Sequence, residues 1–147
     1  MKKLFITLGF AFIGLSADAQ TNSFPKTPLS VVIGFYHELS LKPKDAERSA
    51  YSGLIFEKYF DREYVEYGGK GNKRQNFNEF KKFITDTFKQ LPDLDVILEE
   101  ILSDGDRVVV KIKLWEEKAG LEINYLAFYF IKDGKIKNRY AYSDGGF

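Results

Sequence analysis

The sequence contains no cysteine. Disulfides, thiolate nucleophiles, zinc–thiolate sites and cysteine-linked lipid anchors are therefore excluded. One histidine, His37, is too few for a multi-histidine metal site. Charge of a dominant sign is also missing: 22 Lys and Arg stand against 21 Asp and Glu. A net charge of +1 gives no bulk attraction to nucleic acid or to an anionic membrane. The longest apolar run, Leu4 to Leu15, is twelve residues, where spanning a bilayer takes about 20. Several chemical signatures are absent as well. Gly68-Gly69-Lys70-Gly71 lacks the Gly-Lys-Ser/Thr ending of a phosphate-binding loop and reads as a plain loop. No serine motif of the nucleophile-elbow kind accompanies His37, which reads as a helix-surface residue. The pairs Asp93/Asp95 and Asp104/Asp106 lack the further oxygen ligands of a calcium loop and read as turn and strand-edge residues. Lys70, Lys73, Arg74, Lys81 and Lys82 read as a solvated face rather than a nucleic-acid site. What the chain has in excess is aromatic residues, 16% of the total, with 14 Phe and 9 Tyr.

The N-terminus reads as an address. Lys2 and Lys3 precede the apolar run, and Ser16-Ala17-Asp18-Ala19 follows it. A basic start, a short apolar stretch and an Ala-x-Ala site predict a secretory signal peptide over residues 1–19, cleaved after Ala19. Cleavage would remove Lys2, Lys3 and Asp18, balance the charges, and leave an exported, soluble chain, periplasmic or extracellular. Lacking cysteine, that chain must be held by its core. Residues 20–27 read as a flexible, polar segment, and residues 28–147 as one domain.

Three helices come first. Thr27-Pro28 is a cap followed by a first-turn proline, and Leu29, Val32, Ile33, Tyr36 and Leu39 keep helical spacing up to Pro43. A second helix is predicted from Asp45 through Tyr59. Tyr64–Tyr67 reads as a short strand. Asn76 with Glu79 forms a capping pair, and Phe77, Phe80, Ile84, Phe88 and Leu91 then line one stripe of a third helix, widened by Phe83 and stopped by Pro92. From Leu94 the period changes to two. Val108, Val110, Ile112 and Leu114 share one strand face. The strand Leu121–Ile131 turns apolar on both faces from Tyr125, and Asp133-Gly134 is a hairpin signal before Lys135–Asp144. Helices followed by strands predict α+β: three N-terminal helices packed on an antiparallel sheet of four main strands plus one short strand.

The tyrosines are the chemical lead. Tyr125 and Tyr129 share one strand face, and Tyr140 and Tyr142 share a face of the last strand. A hydroxyl at the tip of an apolar ring suits a pocket wall that orients a carbonyl or a phenol. The same residues equally suit an outer sheet face packed against another subunit.

Phe35-Tyr36 before Leu39, Phe60-Asp61 before Tyr64-Val65-Glu66, Leu91-Pro92-Asp93-Leu94, Gly105-Asp106-Arg107-Val108-Val109-Val110 and Asp133-Gly134-Lys135-Ile136 occur in order. Together, over roughly residues 28 to 144, they resemble the SnoaL-like branch of the nuclear transport factor 2-like superfamily. The resemblance implies a cone-shaped, curved sheet around helices, a pocket at the open end, and homodimers through the sheet. Its members include polyketide cyclases and ketosteroid isomerase. Carried over residue by residue, Tyr36 matches the isomerase tyrosine that binds the substrate oxygen. Tyr67 stands at its general base and Ala127 at its protonated aspartate. Tyr140 matches the cyclase aromatic, but Ala141 follows where the acid/base aspartate belongs. The carboxylates that do the proton work in those enzymes are therefore missing.

The expectation is an exported SnoaL-like protein holding a small apolar or aromatic molecule, with Tyr36, Tyr67, Trp115, Tyr125, Phe128, Tyr140 and Tyr142 as candidate wall residues. No metal or cofactor, no nucleic-acid partner, and no membrane association after cleavage are expected. One alternative is a cyclase- or isomerase-type enzyme with displaced acid/base groups, its candidates being Tyr36, Glu66 and Asp144. Glu38 is a further acid whose orientation the sequence leaves open. Another alternative is a ligand-free dimeric interaction module.

Overall fold

The computed structural model describes residues 26–42, 47–68 and 73–143. The signal-peptide reading over residues 1–19, the helix start at Asp45 and the candidate acid Asp144 lie outside these residues.

Helix α1 (Pro28–Ser40) starts as its sequence dictates, with the Thr27 side chain accepting from the Ser30 amide at 3.2 Å and proline in the first turn. Helix α2 (Arg48–Tyr59) has no side-chain cap at Glu47, but its C-terminal end is capped from far away: the Lys135 ammonium donates to the Lys58 carbonyl at 2.5 Å. A cation there complements the carbonyl end of the helix. The chain then passes directly into strand β1 (Phe60–Gly68), longer than the short strand expected, and β2 (Lys73–Asn76), which the periodicity did not show. Helix α3 (Phe77–Gln90) opens with the predicted capping box: Asn76 accepts from the Glu79 amide at 3.0 Å, and the Glu79 carboxylate accepts from the Asn76 amide at 2.8 Å. Strands β3 (Asp95–Asp104), β4 (Arg107–Glu116), β5 (Leu121–Lys132) and β6 (Lys135–Ser143) form the expected meander. Asp133 and Gly134 both take positive φ, 53° and 69°, as a two-residue hairpin turn of this hand requires.

The fold is α+β. Its sheet runs β2-β1-β6-β5-β4-β3, and every neighbouring pair is antiparallel except β1 and β6. That parallel pair corrects the all-antiparallel expectation, and β2 adds a sixth strand. The two have separate causes: β2 pairs with the edge of its near neighbour β1, Gly68 opposite Lys73 and Val65 opposite Asn76, whereas the parallel pair follows from its connection. β1 reaches β6 through α3 and the whole meander rather than through a hairpin, so the connection imposes no antiparallel sense. Bulges interrupt three ladders, between Phe60 and Val65, between Leu98 and Glu100, and between Phe130 and Ile131. Such irregularities bend strands and raise the local twist, which curves the sheet around the helices.

The core is aromatic where α1, α2 and α3 meet the sheet. Phe56 stacks on Phe60 at 3.9 Å, Phe35 meets Phe60 edge-on at 4.9 Å, and Phe80 lies 5.6 Å from Tyr64. Val108, Val110, Ile112, Ala127 and Ile136 supply the buried sheet face. Within the predicted α3 stripe, Phe77, Phe80 and Phe88 are buried, Ile84 is half-buried, and Phe83 is exposed at the rim.

Candidate functional site

Under the open end of the curved sheet lies a cavity of about 410 Å³. Helix α3 supplies Phe80, Phe83, Ile84, Thr87 and Phe88 as one wall, and Leu39 closes the α1 side. The inner sheet face supplies Leu94, Val96, Leu114 and Tyr125. Glu66 and Gly68 of β1, Gln75 of β2, and Arg139, Ala141 and Ser143 of β6 complete it. Gly68 is held at φ 157° against β6, where an added Cβ would lie 2.6 Å from the Ala141 carbonyl oxygen. Glycine is the residue that permits that approach, and it keeps β1 and β6 closed beside the cavity.

The walls are mostly apolar, and the polar groups converge at one place. Arg139 donates to Glu66 in a forked pair, with Nε at 2.9 Å from Oε2 and Nη2 at 2.9 Å from Oε1. Tyr64 donates its hydroxyl to the same Glu66 carboxylate. On the other side Arg139 Nη1 reaches the Tyr129 hydroxyl at 3.5 Å, and Tyr129 is hydrogen-bonded to Tyr36. The guanidinium also lies over the Phe80 ring, 4.6 Å from its centroid. Tyr36, Tyr129, Arg139, Glu66 and Tyr64 thus form one continuous buried network. A buried ion pair persists only when its remaining donors and acceptors are satisfied in this way.

Burial pushes the hydroxyls of Tyr36, Tyr64, Tyr125 and Tyr129 above the usual phenol range, although the Arg139 charge pulls each of them back in part. All four stay protonated at neutral pH and act as hydrogen-bonding groups, not as bases. Burial opposes the charge on Arg139 too, but Glu66 and the surrounding phenols outweigh it and hold the guanidinium above its ordinary value. Among the described residues Glu66 is the one carboxylate on the cavity lining. Both its oxygens already accept hydrogen bonds, so taking a proton from a substrate would first cost it those bonds. The arrangement can hold and orient a polar atom, and among the described residues it holds no free acid/base pair. Among the described residues no group of His, Cys, Asp and Glu could hold a metal ion.

The structure sorts the sequence candidates by face. Tyr125 lines the cavity. Tyr36 is buried beneath it and joins its polar end through Tyr129 and Arg139. Glu66 faces inward. Glu38 does not: it lies away from the cavity, bonded to Lys58 and Tyr59. Tyr67, Trp115, Phe128, Tyr140 and Tyr142 are on the outer sheet face, away from this cavity. The reason is strand alternation: Trp115 follows the inward Leu114, Phe128 lies between the inward Ala127 and Tyr129, and Tyr140 follows the inward Arg139. On that face Leu102, Val109, Phe128, Tyr140 and Tyr67 stand in register across five strands, and Tyr67 stacks on Tyr140 at 4.7 Å. An open groove of about 770 Å³ runs beside Leu102, Arg107, Val109, Phe128, Tyr140 and Tyr142. His37 is exposed on α1, as its sequence context suggested.

Arg139 and Tyr64, the centre of the polar network, are absent from the sequence candidates. For Tyr64 the signal was present: it stands two residues before Glu66 and so shares its strand face. Arg139 was hidden by the bulge in β6. Ile131 pairs with Ile136 and Phe130 with Asn138, so Lys137 is skipped and the alternation reverses after it. Counting by twos from the inward Ile136 points Tyr140 and Tyr142 inward, and the bulge sends Arg139 and Ala141 there instead.

A family model described as a SnoaL-like domain matches residues 55–139, more than half of the chain. Among solved structures, a loop-truncation variant of IdmH, a Streptomyces antibioticus protein, superposes with a TM-score of 0.65 at 16% identity, covering 80% of this chain and 92% of that one. An NTF2-like protein of unknown function from Mesorhizobium loti gives 0.64 at 16% identity, covering 80% and 91%. A SnoaL-like polyketide cyclase from Agrobacterium tumefaciens gives 0.62 at 14%, covering 82% and 94%. At these identities the likeness establishes the fold alone. No curated protein sequence matches the chain significantly.

Proposed function

The chain belongs to the SnoaL-like domain family, and from that premise we propose that its inner cavity binds a small, largely apolar or aromatic molecule. The observation that carries this reading is the cavity itself: about 410 Å³, walled by Phe80, Phe83, Phe88, Leu94 and Leu114, with its polar groups converging on Arg139. That combination of apolar walls and a few placed polar groups is what small-molecule sites have. Binding fits the chemistry better than turnover, since the phenols stay protonated and Glu66 is fully engaged. Native mass spectrometry of the purified protein tests the reading. The protein is expected to retain a small molecule or to take up bicyclic and tricyclic aromatic compounds, and Ala141→Leu, which fills the cavity, is expected to lose it. A folded wild-type protein that takes up no member of such a panel at millimolar concentration refutes the proposal.

The leader at residues 1–19 supports export, and among the described residues no helix is long and apolar enough to cross a membrane. Protein recovered from an exporting host should begin at Gln20. A second reading, homodimerisation through the sheet, is favoured by the outer face, where Leu102, Leu126, Phe128, Tyr140 and Tyr142 are all exposed. Such a contiguous apolar patch is unusual on a monomer. Light scattering should give a dimer that Phe128→Glu dissociates, and a wild-type monomer at high concentration would refute this reading.

A further inference from the structure

We infer that the cavity selects a neutral ligand carrying an oxygen acceptor, and that Glu66 enforces the selection by cancelling the charge of Arg139. The inference rests on the cavity being a binding site. A guanidinium has five N–H groups. Glu66 takes the one on Nε and one on Nη2, and the Tyr129 hydroxyl takes one on Nη1. Tyr125 takes a further one, and one N–H on a terminal nitrogen remains, on a side chain that lines the cavity. A ketone, ester, amide or phenol oxygen can accept from it with no change in the charge of the site.

A carboxylate fares differently. Among the described residues Arg139 is the one cation on the lining, and Glu66, the one anion, already neutralises it through a forked pair. A ligand carboxylate would share one guanidinium with a second carboxylate, between mostly apolar walls that solvate the surplus charge poorly. The protonated Tyr125 beside Arg139 adds a donor for a neutral oxygen but no positive charge. An arginine in a pocket ordinarily advertises an acid-binding site. Here its partner removes that meaning and leaves a directional donor.

The test uses 2-acetylnaphthalene and 2-naphthoate, which share the ring system and the carbonyl and differ by a methyl group against an anionic oxygen. Calorimetry at pH 7 on the whole protein should show the ketone binding at least about tenfold tighter. The Arg139 Nε–H resonance should shift as the ketone is added. Glu66→Gln keeps the side-chain shape, frees the guanidinium charge, and should reverse the preference toward the acid. Wild-type protein that binds the acid as tightly as the ketone overturns the inference while leaving the cavity reading standing. So does a folded Glu66→Gln protein with unchanged preference. Should that variant not fold, the wild-type ratio and the Arg139 resonance decide the matter. Failure of both probes to bind overturns this inference, and the cavity reading is then decided by the wider panel.

Discussion

Arg139→Met breaks the buried pair while keeping much of its volume, and its consequence can be worked from the geometry. In the wild-type protein the two side chains are 10% and 5% exposed, and Glu66 accepts from Arg139 and from Tyr64. Without Arg139 the carboxylate keeps the Tyr64 hydroxyl and loses its charge partner between mostly apolar walls. Leaving one charge of a buried pair uncompensated costs about 3–5 kcal/mol. An exposed pair such as Lys82 with Asp86 on α3 belongs in a far lower range, about 0.3–0.5 kcal/mol for helix neighbours four apart. Urea unfolding followed by far-ultraviolet circular dichroism measures the difference. With a slope of about 2 kcal/mol per molar urea, a loss of about 4 kcal/mol moves the midpoint down by about 2 M.

A double variant separates loss of the charge balance from loss of packing. Glu66→Gln with Arg139→Met removes both charges and leaves an amide oxygen to accept from Tyr64. It should be more stable than Arg139→Met alone, by about 1–3 kcal/mol, because the stranded charge is gone. The reasoning fails if Arg139→Met costs less than about 1 kcal/mol, well short of the buried-pair range. It fails equally if the double variant is no more stable than the single one. In the latter case Arg139 would matter through its stacking on Phe80 rather than through its charge.

Phe80, 1% exposed and in contact with Phe56, Phe60 and Tyr64, should lose about 3–5 kcal/mol on replacement by alanine. A loss under about 1 kcal/mol, by the same unfolding assay, would refute its central placement. Gly68→Ala places a methyl against the Ala141 backbone and should lower the melting temperature, whereas Gly105→Ala, at a turn with open space around it, carries only the cost of its positive φ and should lower it less; equal losses would contradict the close approach of β1 to β6. Asp61 is held below the usual carboxylate range by Lys137 and by the Glu63 amide. Its folded value lies below its unfolded one, so its contribution is present above about pH 4 and is lost as pH falls through the folded value. Asp61→Asn should therefore narrow its stability deficit to wild type on acidification, and a deficit unchanged between pH 7 and pH 3 would show that the pair contributes nothing.

The parts of this fold that were legible share a property: each is set by residues close in sequence. Thr27-Pro28, the Asn76–Glu79 capping box, the Asp133-Gly134 turn and the alternation of Val108 to Leu114 are local, and each forms where expected. What escaped depends on pairing between strands rather than on a segment's own pattern. β2 is four polar residues and becomes a strand because β1 offers it an edge. The parallel β1–β6 pair brings Glu66 opposite Arg139, 73 positions away. The bulge at Lys137 then decides which of Arg139 and Tyr140 faces the cavity. A residue-type search for a site favoured the aromatic members of β6, since an arginine read as outward looks like one more solvated charge. A single skipped residue reverses that assignment. It places the chain's one buried ion pair among the described residues inside the cavity, and moves Tyr140 and Tyr142 to the face where a second subunit would find them. The pocket and the candidate dimer surface are thus two outcomes of the same bulge. Deleting Lys137 tests this account: Arg139 becomes the second residue after the inward Ile136, so strict alternation alone keeps Arg139 inward and Tyr140 outward, and the variant should fold with the Arg139–Glu66 pair intact.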